Sequence, residues 1–291
     1  MILNVSGRTD IVAFYSDWFL KRYYEGFVDV RNPFYPKQIS RIYFEDVDAI
    51  LFCTKNPIPI LKYLKAIDKP ILFHVTLTPY LKEIEPNVPP KGKIIEAIKQ
   101  LSSMVGIDHL FIRYDPIFFN DKYTIAYHKK AFDHMCSLLN GFVKTVIVSF
   151  LDDYQNVRKN KSVLNVRKLS EEDYQKIGIS FSESAKRNGM TVQTCFEKKD
   201  LTEYDFVKGE CFSHSLAYQL TGKKYPNWKA RKCGCVEMVD IGVYNSCRHF
   251  CKYCYANYDE KLVMSNFSQH HSNSSLLIGD LNENDVIKRR Q

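Results

Sequence analysis

Leu110-Phe111-Ile112-Arg113-Tyr114-Asp115-Pro116 is an apolar run that ends in charged and turn-forming residues. A helix-like stretch, Tyr123–Leu139, follows it, and then a second apolar run, Val146–Phe150. Short runs rich in Ile, Leu, Val and Phe are what strands buried on both faces look like. The unit recurs on either side. Strand-like runs lie at Ile2–Val5, Ala49–Cys53, Ile71–Thr76, Thr191–Phe196 and Asp240–Tyr244. Helix-like stretches lie at Ile11–Glu25, Pro59–Ala66, Lys91–Met104 and Ser170–Arg187. Ser170, followed by Glu171, Glu172 and Asp173, reads as a helix start, and Gly189 as a stop. The alternation predicts the α/β class, with parallel strands joined by right-handed crossovers in a (β/α) barrel, closed or partial. A doubly wound open sheet is the alternative. Phe27–Tyr43 breaks the rhythm and reads as a hairpin, or as an eighth strand near Phe27–Val30. Residues 198–232 read as an irregular insertion. Residues 1–264 form a single barrel domain on this reading. Residues 265–291 form a polar, loosely ordered tail with a last helix near Asn284–Arg289.

Several strand-like runs end in polar sequences: Ser6-Gly7-Arg8-Thr9-Asp10, Thr54-Lys55-Asn56-Pro57, Thr76-Leu77-Thr78-Pro79 and Arg113-Tyr114-Asp115-Pro116. In parallel barrels the loops after the strands meet on one face, where active sites sit. Pro57, Pro79 and Pro116 are accounted for as turn residues. Arg8, Lys55 and Arg113 are not, which makes them site candidates. Asp10, Asp115, Asp152 and Glu197 also fall at strand ends, and each reads equally well as a turn or cap residue.

The chain has 291 residues, 45% of them hydrophobic, enough to bury a sizeable core without disulfide staples. The formal net charge is +8, but the basic residues are scattered and form no nucleic-acid-binding arm. No secretory signal is visible, and no apolar run approaches the ~18 residues of a membrane span, so a cytoplasmic protein is expected. Cysteines in that compartment are expected as thiols or metal ligands rather than disulfides. Cys53, Cys136 and His74 read as core positions, and His270-His271 as a solvated pair.

The densest chemical signal is Cys247-Arg248-His249-Phe250-Cys251-Lys252-Tyr253-Cys254. A loop this short, at 245–257, can present three thiolates to three irons of one [4Fe–4S] cube and leave the fourth iron without a protein ligand. Zinc is the competing metal, with Cys233, Cys235 or His249 completing a four-ligand set. The three-then-two spacing suits the cluster better. Cys195, Cys211, Cys233 and Cys235 are either incidental or a second metal site.

This motif, with Tyr253 in its aromatic position, resembles the signature of the radical S-adenosylmethionine superfamily. The resemblance implies a [4Fe–4S] cluster on Cys247, Cys251 and Cys254. It also implies S-adenosyl-L-methionine chelated to the open iron, cleavage to a 5′-deoxyadenosyl radical, and an electron donor such as flavodoxin or ferredoxin. In that superfamily the motif normally follows the first strand, whereas here it follows the last. That is a permutation, and it predicts that the last strand lies beside the first, with Ser6–Asp10 next to the cluster. The usual glycine-rich cofactor motif is absent, and Thr54-Lys55-Asn56-Pro57 stands as its substitute. Arg31-Asn32-Pro33, Cys233-Gly234-Cys235, Asp240-Ile241-Gly242 and Cys254-Tyr255-Ala256-Asn257 narrow the resemblance. Together with the strand-end sequences, they resemble a bacterial family with a C-terminal cluster motif and, within it, the lyases that act on queuine in queuosine salvage. That implies release of 7-aminomethyl-7-deazaguanine by cleavage of the C–N bond to the cyclopentenediol. On this reading Arg8, Thr54, Lys55, Asn56 and Arg113 hold the cofactor, and Asp10, Asp115 and Glu197 accept the N–H edge of a deazapurine. The partner is then a small molecule, with no membrane and no stable nucleic-acid binding. The alternatives are radical chemistry on another nucleobase or on nucleic acid, and a non-catalytic zinc- or cluster-binding module.

Overall fold

A computed structural model describes residues 1–229 and 233–290. The strands are β1 (Ile2–Val5), β2 (Phe27–Arg31), β3 (Gln38–Tyr43), β4 (Ala49–Thr54), β5 (Ile71–Thr76), β6 (Leu110–Ile117), β7 (Thr145–Phe150), β8 (Thr191–Cys195), β9 (Val207–Gly209), β10 (Met238–Asp240) and β11 (Val286–Arg289). The α-helices are α1 (Ile11–Phe14), α2 (Ser16–Glu25), α3 (Lys91–Val105), α4 (Ile125–Leu139), α5 (Gln155–Lys159), α6 (Lys161–Leu164), α7 (Glu171–Arg187), α8 (His214–Thr221) and α9 (Glu260–Ser268).

Eight strands form one sheet in the order β10-β1-β4-β5-β6-β7-β8-β9, and every pair is parallel. From β1 to β9 each strand is laid beside its predecessor. A doubly wound sheet reverses its order near its middle; here the order runs one way from β1 to β9, and β10 alone is added on the far side of β1. Alternate residues bury on opposite faces. Leu3, Phe52, Phe73, Ile112, Val146 and Val192 lie in the main core with Ile94 and Ile98 of α3, Phe132 of α4 and Phe181 of α7. Phe132 and Phe181 stack at 3.8 Å between centroids. The other face contributes Ile2, Leu51, Leu72 and Met238 to a smaller cluster with Phe212, Val236 and Ala217 of α8. The helices thus cover one face, and the segment read as an insertion covers the other. Among the described residues β9 and β10 do not pair, so the sheet has two edges and barrel closure is not seen. The last strand lies beside the first, with Ile2 opposite Met238, as the permuted order predicts.

Several boundaries differ from the sequence reading. The stretch Ile11–Glu25 is two helices broken at Tyr15, where Ser16 Oγ donates back to the Val12 carbonyl at 2.6 Å; such bonds bend helices. Ile58–Ala66 is 3₁₀ rather than α, next to Pro57 and with Pro59 inside it, neither of which offers an N–H. The strand read at Asp240–Tyr244 ends at Asp240. The Asp240 carboxylate accepts from Gly7 N, Gly242 N and Ser6 Oγ, each at 2.7 Å, which turns the chain. Only glycine fits at 242, since a Cβ would stand 1.9 Å from Ser6 Oγ. The eighth strand is β9, within the expected insertion, while Phe27–Arg31 pairs antiparallel with β3 as a hairpin outside the main sheet.

The tail is built in. The expected helix near Asn284–Arg289 is instead β11, which adds in parallel to β3, as β-branched Val286 and Ile287 beside an available strand edge favour. Leu276 and Leu277 are buried, and Trp18 Nε1 donates to the Ser274 carbonyl at 2.9 Å. His270, expected in solvent, meets the Tyr15 ring edge-on at 4.7 Å. Cys195 and Cys211, expected as thiols or metal ligands, are joined as a disulfide across the β8–β9 edge. Among the described residues no helix is long and apolar enough to cross a membrane.

Candidate metal centre

The cysteine loop follows β10 and docks against the carboxyl ends of the neighbouring strands through backbone bonds. Tyr15 OH donates to the Ser246 carbonyl at 2.6 Å, and Asn87 Nδ2 to the Arg248 carbonyl at 2.7 Å. Asn160 Nδ2 reaches the Lys252 carbonyl and Asn156 Nδ2 the Tyr255 carbonyl, both at 2.6 Å. Asn257 Nδ2 closes the loop on itself at the Cys247 carbonyl, 2.7 Å. Asn245 and Phe250 take positive φ of 54° and 56°, the left-handed turns that fold so short a segment. Backbone anchoring of this kind fixes the path of the loop and leaves its thiols for another task.

Those thiols lie near enough to disfavour one another's ionisation. Burial pushes Cys247 well above the ordinary thiol range, with Asp10, Cys254 and Cys251 adding to the push. Burial also raises Cys251, which Lys55 pulls back and Glu85 and Cys254 raise further. Cys254 is raised by burial and moderated by the Ala256 and Asn257 backbone and by Lys55. Three half-buried thiolates that disfavour one another's charge need a cation to form.

Beneath the loop lies a buried carboxylate that sequence reasoning missed. Glu85 accepts from Lys55 Nζ at 3.0 Å, from Thr78 Oγ1 at 2.5 Å, from Lys91 Nζ and from the Tyr253 hydroxyl. Burial alone would raise its pKa, but Lys55 and Lys91 outweigh it and hold the group at about 2. Lys55 also lies 5.3 Å from the centre of the Tyr253 ring. Two ammonium groups against one carboxylate leave a surplus positive charge beside Cys251. Glu85 lies in the connection between β5 and α3, 14 residues long and unbroken by helix or strand. Such connections are usually two to six residues, so its length at the carboxyl end of a strand was the available signal.

The sequence candidates divide into groups. Asp10 and Lys55 meet the cysteine loop: Asp10 Oδ2 accepts from Lys55 N at 2.8 Å and lies 2.9 Å from His249 Nε2, while its Oδ1 caps α1 through Ala13 N. His249 Nδ1 faces the Asn87 carbonyl at 3.4 Å. Both ring nitrogens thus face protein acceptors, which argues against His249 as a metal ligand. Thr54 Oγ1 accepts from Asn56 N at 2.9 Å, and Asn56 Oδ1 from Ile58 N at 3.3 Å, so these two shape the turn after β4. Arg8 lies over the Tyr244 ring at 5.4 Å. Arg113 is committed to Asp115, with Nε–Oδ2 at 2.9 Å, and directs Nη1 at Cys211 Sγ, 3.2 Å. Glu197 accepts from Phe150 N at 2.8 Å, and burial, with Asp152 and Asp115 adding to it, pushes its pKa up to about 7. Asp152 is exposed.

Among the described residues no three His, Cys, Asp or Glu side chains are grouped as the ligands of one metal ion would be. A single zinc with Zn–S bonds of about 2.3 Å draws its sulfurs to within about 4 Å of one another. A cube binds each thiolate to a different iron and tolerates a wider set. Three half-buried thiols from one loop, a diverted histidine and the Lys55 and Lys91 ammonium groups beside Cys251 fit an anionic cluster.

The fold and site define an α/β chain whose singly wound parallel sheet carries a cysteine loop at its carboxyl edge. Residues 2–256 match the family described as a domain of unknown function, DUF1848, and the chain belongs to it. No curated protein matches the chain.

Proposed function

We propose that this protein is a radical S-adenosylmethionine lyase on a permuted, partial (β/α) barrel. It would cleave the C–N bond of queuine to release 7-aminomethyl-7-deazaguanine. The observation that carries the reading is the convergence of Cys247, Cys251 and Cys254 with Asp10 and Lys55 at the carboxyl ends of parallel strands. Cys247, Cys251 and Cys254 would hold a [4Fe–4S] cluster. With S-adenosylmethionine bound, such a cluster would supply the one-electron chemistry needed to remove a hydrogen from an unactivated carbon. The chain's own residues do the rest. Lys55, Lys91 and Glu85 set the charge beneath the loop, and Tyr253 ties the loop to Glu85. Arg8, Thr54, Asn56 and Arg113 stay candidates for the cofactor, and Asp115 and Glu197 for the polar edge of the base, at the ends of adjacent strands. The bond to be broken has no neighbouring carbonyl and a poor leaving group, so hydrolysis by side chains alone is a weak alternative. A flavodoxin or ferredoxin would supply the electron.

The test is anaerobic reconstitution, then incubation with S-adenosylmethionine, reductant and queuine, queuosine nucleoside or modified tRNA in turn. Release of the 7-aminomethyl base from queuine is the expected result. Turnover of tRNA alone would replace the small-molecule substrate with nucleic acid. Cleavage of the cofactor with none of the three consumed would remove the lyase and leave the radical chemistry.

A further inference from the structure

Four cysteines outside the loop meet at one place in the fold. Cys195 ends β8, and Cys211 follows β9 by two residues; the two are bonded, with Cα atoms 6.2 Å apart. Cys233 and Cys235 lie just before β10 and line the same pocket as Cys195. Val236 N donates to the Phe212 carbonyl at 3.1 Å, which sets the 233–236 segment beside 211–212. The Cys235 thiol is buried, interacts with the Cys233 thiol and sits beside the Cys211 backbone. Cys195, Cys233 and Cys235 thus line one pocket, and Cys211 adjoins it through its bond to Cys195 and its backbone beside Cys235.

We propose that, with the disulfide reduced, Cys195, Cys211, Cys233 and Cys235 bind one Zn²⁺ in a closed four-thiolate site. The disulfide uses two of the four donors, so the oxidised form offers no complete ligand set, in keeping with the lack of a three-residue group among the described residues. Arg113 is a second indication. A disulfide sulfur is a weak acceptor, whereas the partly buried guanidinium that directs Nη1 at Cys211 Sγ suits an anionic thiolate. The chemistry balances. A dithiol reductant gives the disulfide two electrons and two protons and leaves as its own disulfide, yielding the Cys195 and Cys211 thiols. The four thiols then release four protons as one Zn²⁺ takes four thiolates. The role is structural: the site would tie the β8–β9 edge of the sheet to the chain entering β10 at the opposite edge, across the gap that strand pairing leaves open.

The site does not depend on the lyase reading, and its test removes the loop from view. The full chain carrying Cys247→Ala, Cys251→Ala and Cys254→Ala is reduced with dithiothreitol, freed of reductant, and equilibrated with Zn²⁺ or Co²⁺ alone. About one equivalent of zinc per chain by mass spectrometry is expected, with the visible bands of tetrahedral Co²⁺ thiolate. Cys233→Ser or Cys235→Ser, added to that chain, should lower zinc retention against a chelator at least tenfold. Less than about a tenth of an equivalent of zinc in the reduced chain, or octahedral Co²⁺ bands, would overturn the proposal. Iron taken up in place of zinc would overturn the metal. If the serine variants fail to fold, the Co²⁺ spectrum of the parent chain decides.

Discussion

The loop at 247–254 and the pocket of Cys195, Cys211, Cys233 and Cys235 are both rich in sulfur, yet they are built in opposite ways. In the first, three thiols lie within eight consecutive residues, and the fold contributes a platform: Asp10, Lys55, Glu85 and Lys91 from elsewhere in the chain. In the second, the sulfurs themselves come from separate segments, and a disulfide already joins two of them. The first is surrounded by ionisable side chains and held by side-chain bonds to backbone carbonyls. The second closes on itself at a sheet edge. A contiguous set of ligands on a charged platform suits a centre that exchanges electrons and ligands, and a dispersed set at an edge suits a staple.

The sharpest way to break this contrast is to remove ligands from the loop. Cys247→Ala, Cys251→Ala or Cys254→Ala should each abolish iron–sulfur absorbance and 5′-deoxyadenosine formation, a loss of at least about a thousandfold. Each variant should stay folded by circular dichroism, because the loop is anchored through its carbonyls. Full iron loading in all three would erase the distinction between the regions.

A smaller effect is expected at the platform. Glu85→Ala strands two half-buried lysines and the Tyr253 hydroxyl, and breaking a buried pair costs about 3–5 kcal/mol, an upper figure for this partly exposed one. Chemical denaturation should show that loss, while Glu85→Gln, which keeps the shape, should lose less stability but still retain iron poorly. An unchanged midpoint and unchanged iron content in Glu85→Ala would show that the platform is not coupled to the loop.

The mildest test uses pH. His128 is buried, with its ring nitrogens 3.0 Å from Tyr114 OH and from the Phe118 carbonyl. Burial lowers its pKa to about 4, although the Phe118 carbonyl raises it. The folded pKa lies below the unfolded one, so the unfolded chain binds the proton more readily. Stability is therefore held above about pH 6.5 and falls as pH drops toward 4, by roughly 3 kcal/mol in all. The His128 ring abuts Tyr80, which abuts Tyr253, so the loss should loosen the wall beneath the loop. Urea midpoints between pH 7 and 4, compared with those of His128→Asn, would reveal it. Equal slopes in both proteins would assign the acid sensitivity elsewhere.

Much of the architecture was legible because buried strands announce themselves locally. Ile71–Thr76 and the start of Leu110–Ile117 need no tertiary information, and Ser170 starts its helix as expected, in a box with Asp173. The cysteine loop was legible for the same reason, since its three ligands are neighbours in sequence. What escaped was non-local. The three-residue strand β9 exists only because β8 offers an edge, and β11 only because β3 does. Glu85 has no local pattern and becomes a hub only when Lys55, Lys91 and Tyr253 arrive from other elements. The pairing of Arg113 with Asp115 was hidden too, although alternate residues point to one face of β6.

The position of β10 beside β1 carries a consequence for how the protein is made. A ribosome adding about 5–20 residues per second finishes Lys55 roughly 10 to 40 seconds before it reaches Cys247. Asp10, Lys55, Glu85 and Lys91 are all translated before the first cysteine of the loop, and the strands that position them are in hand as well. The loop emerges onto a surface already prepared for it. Its thiols are the last of the chain's nine to be synthesised, which shortens the time they spend exposed to stray metals and oxidants during translation.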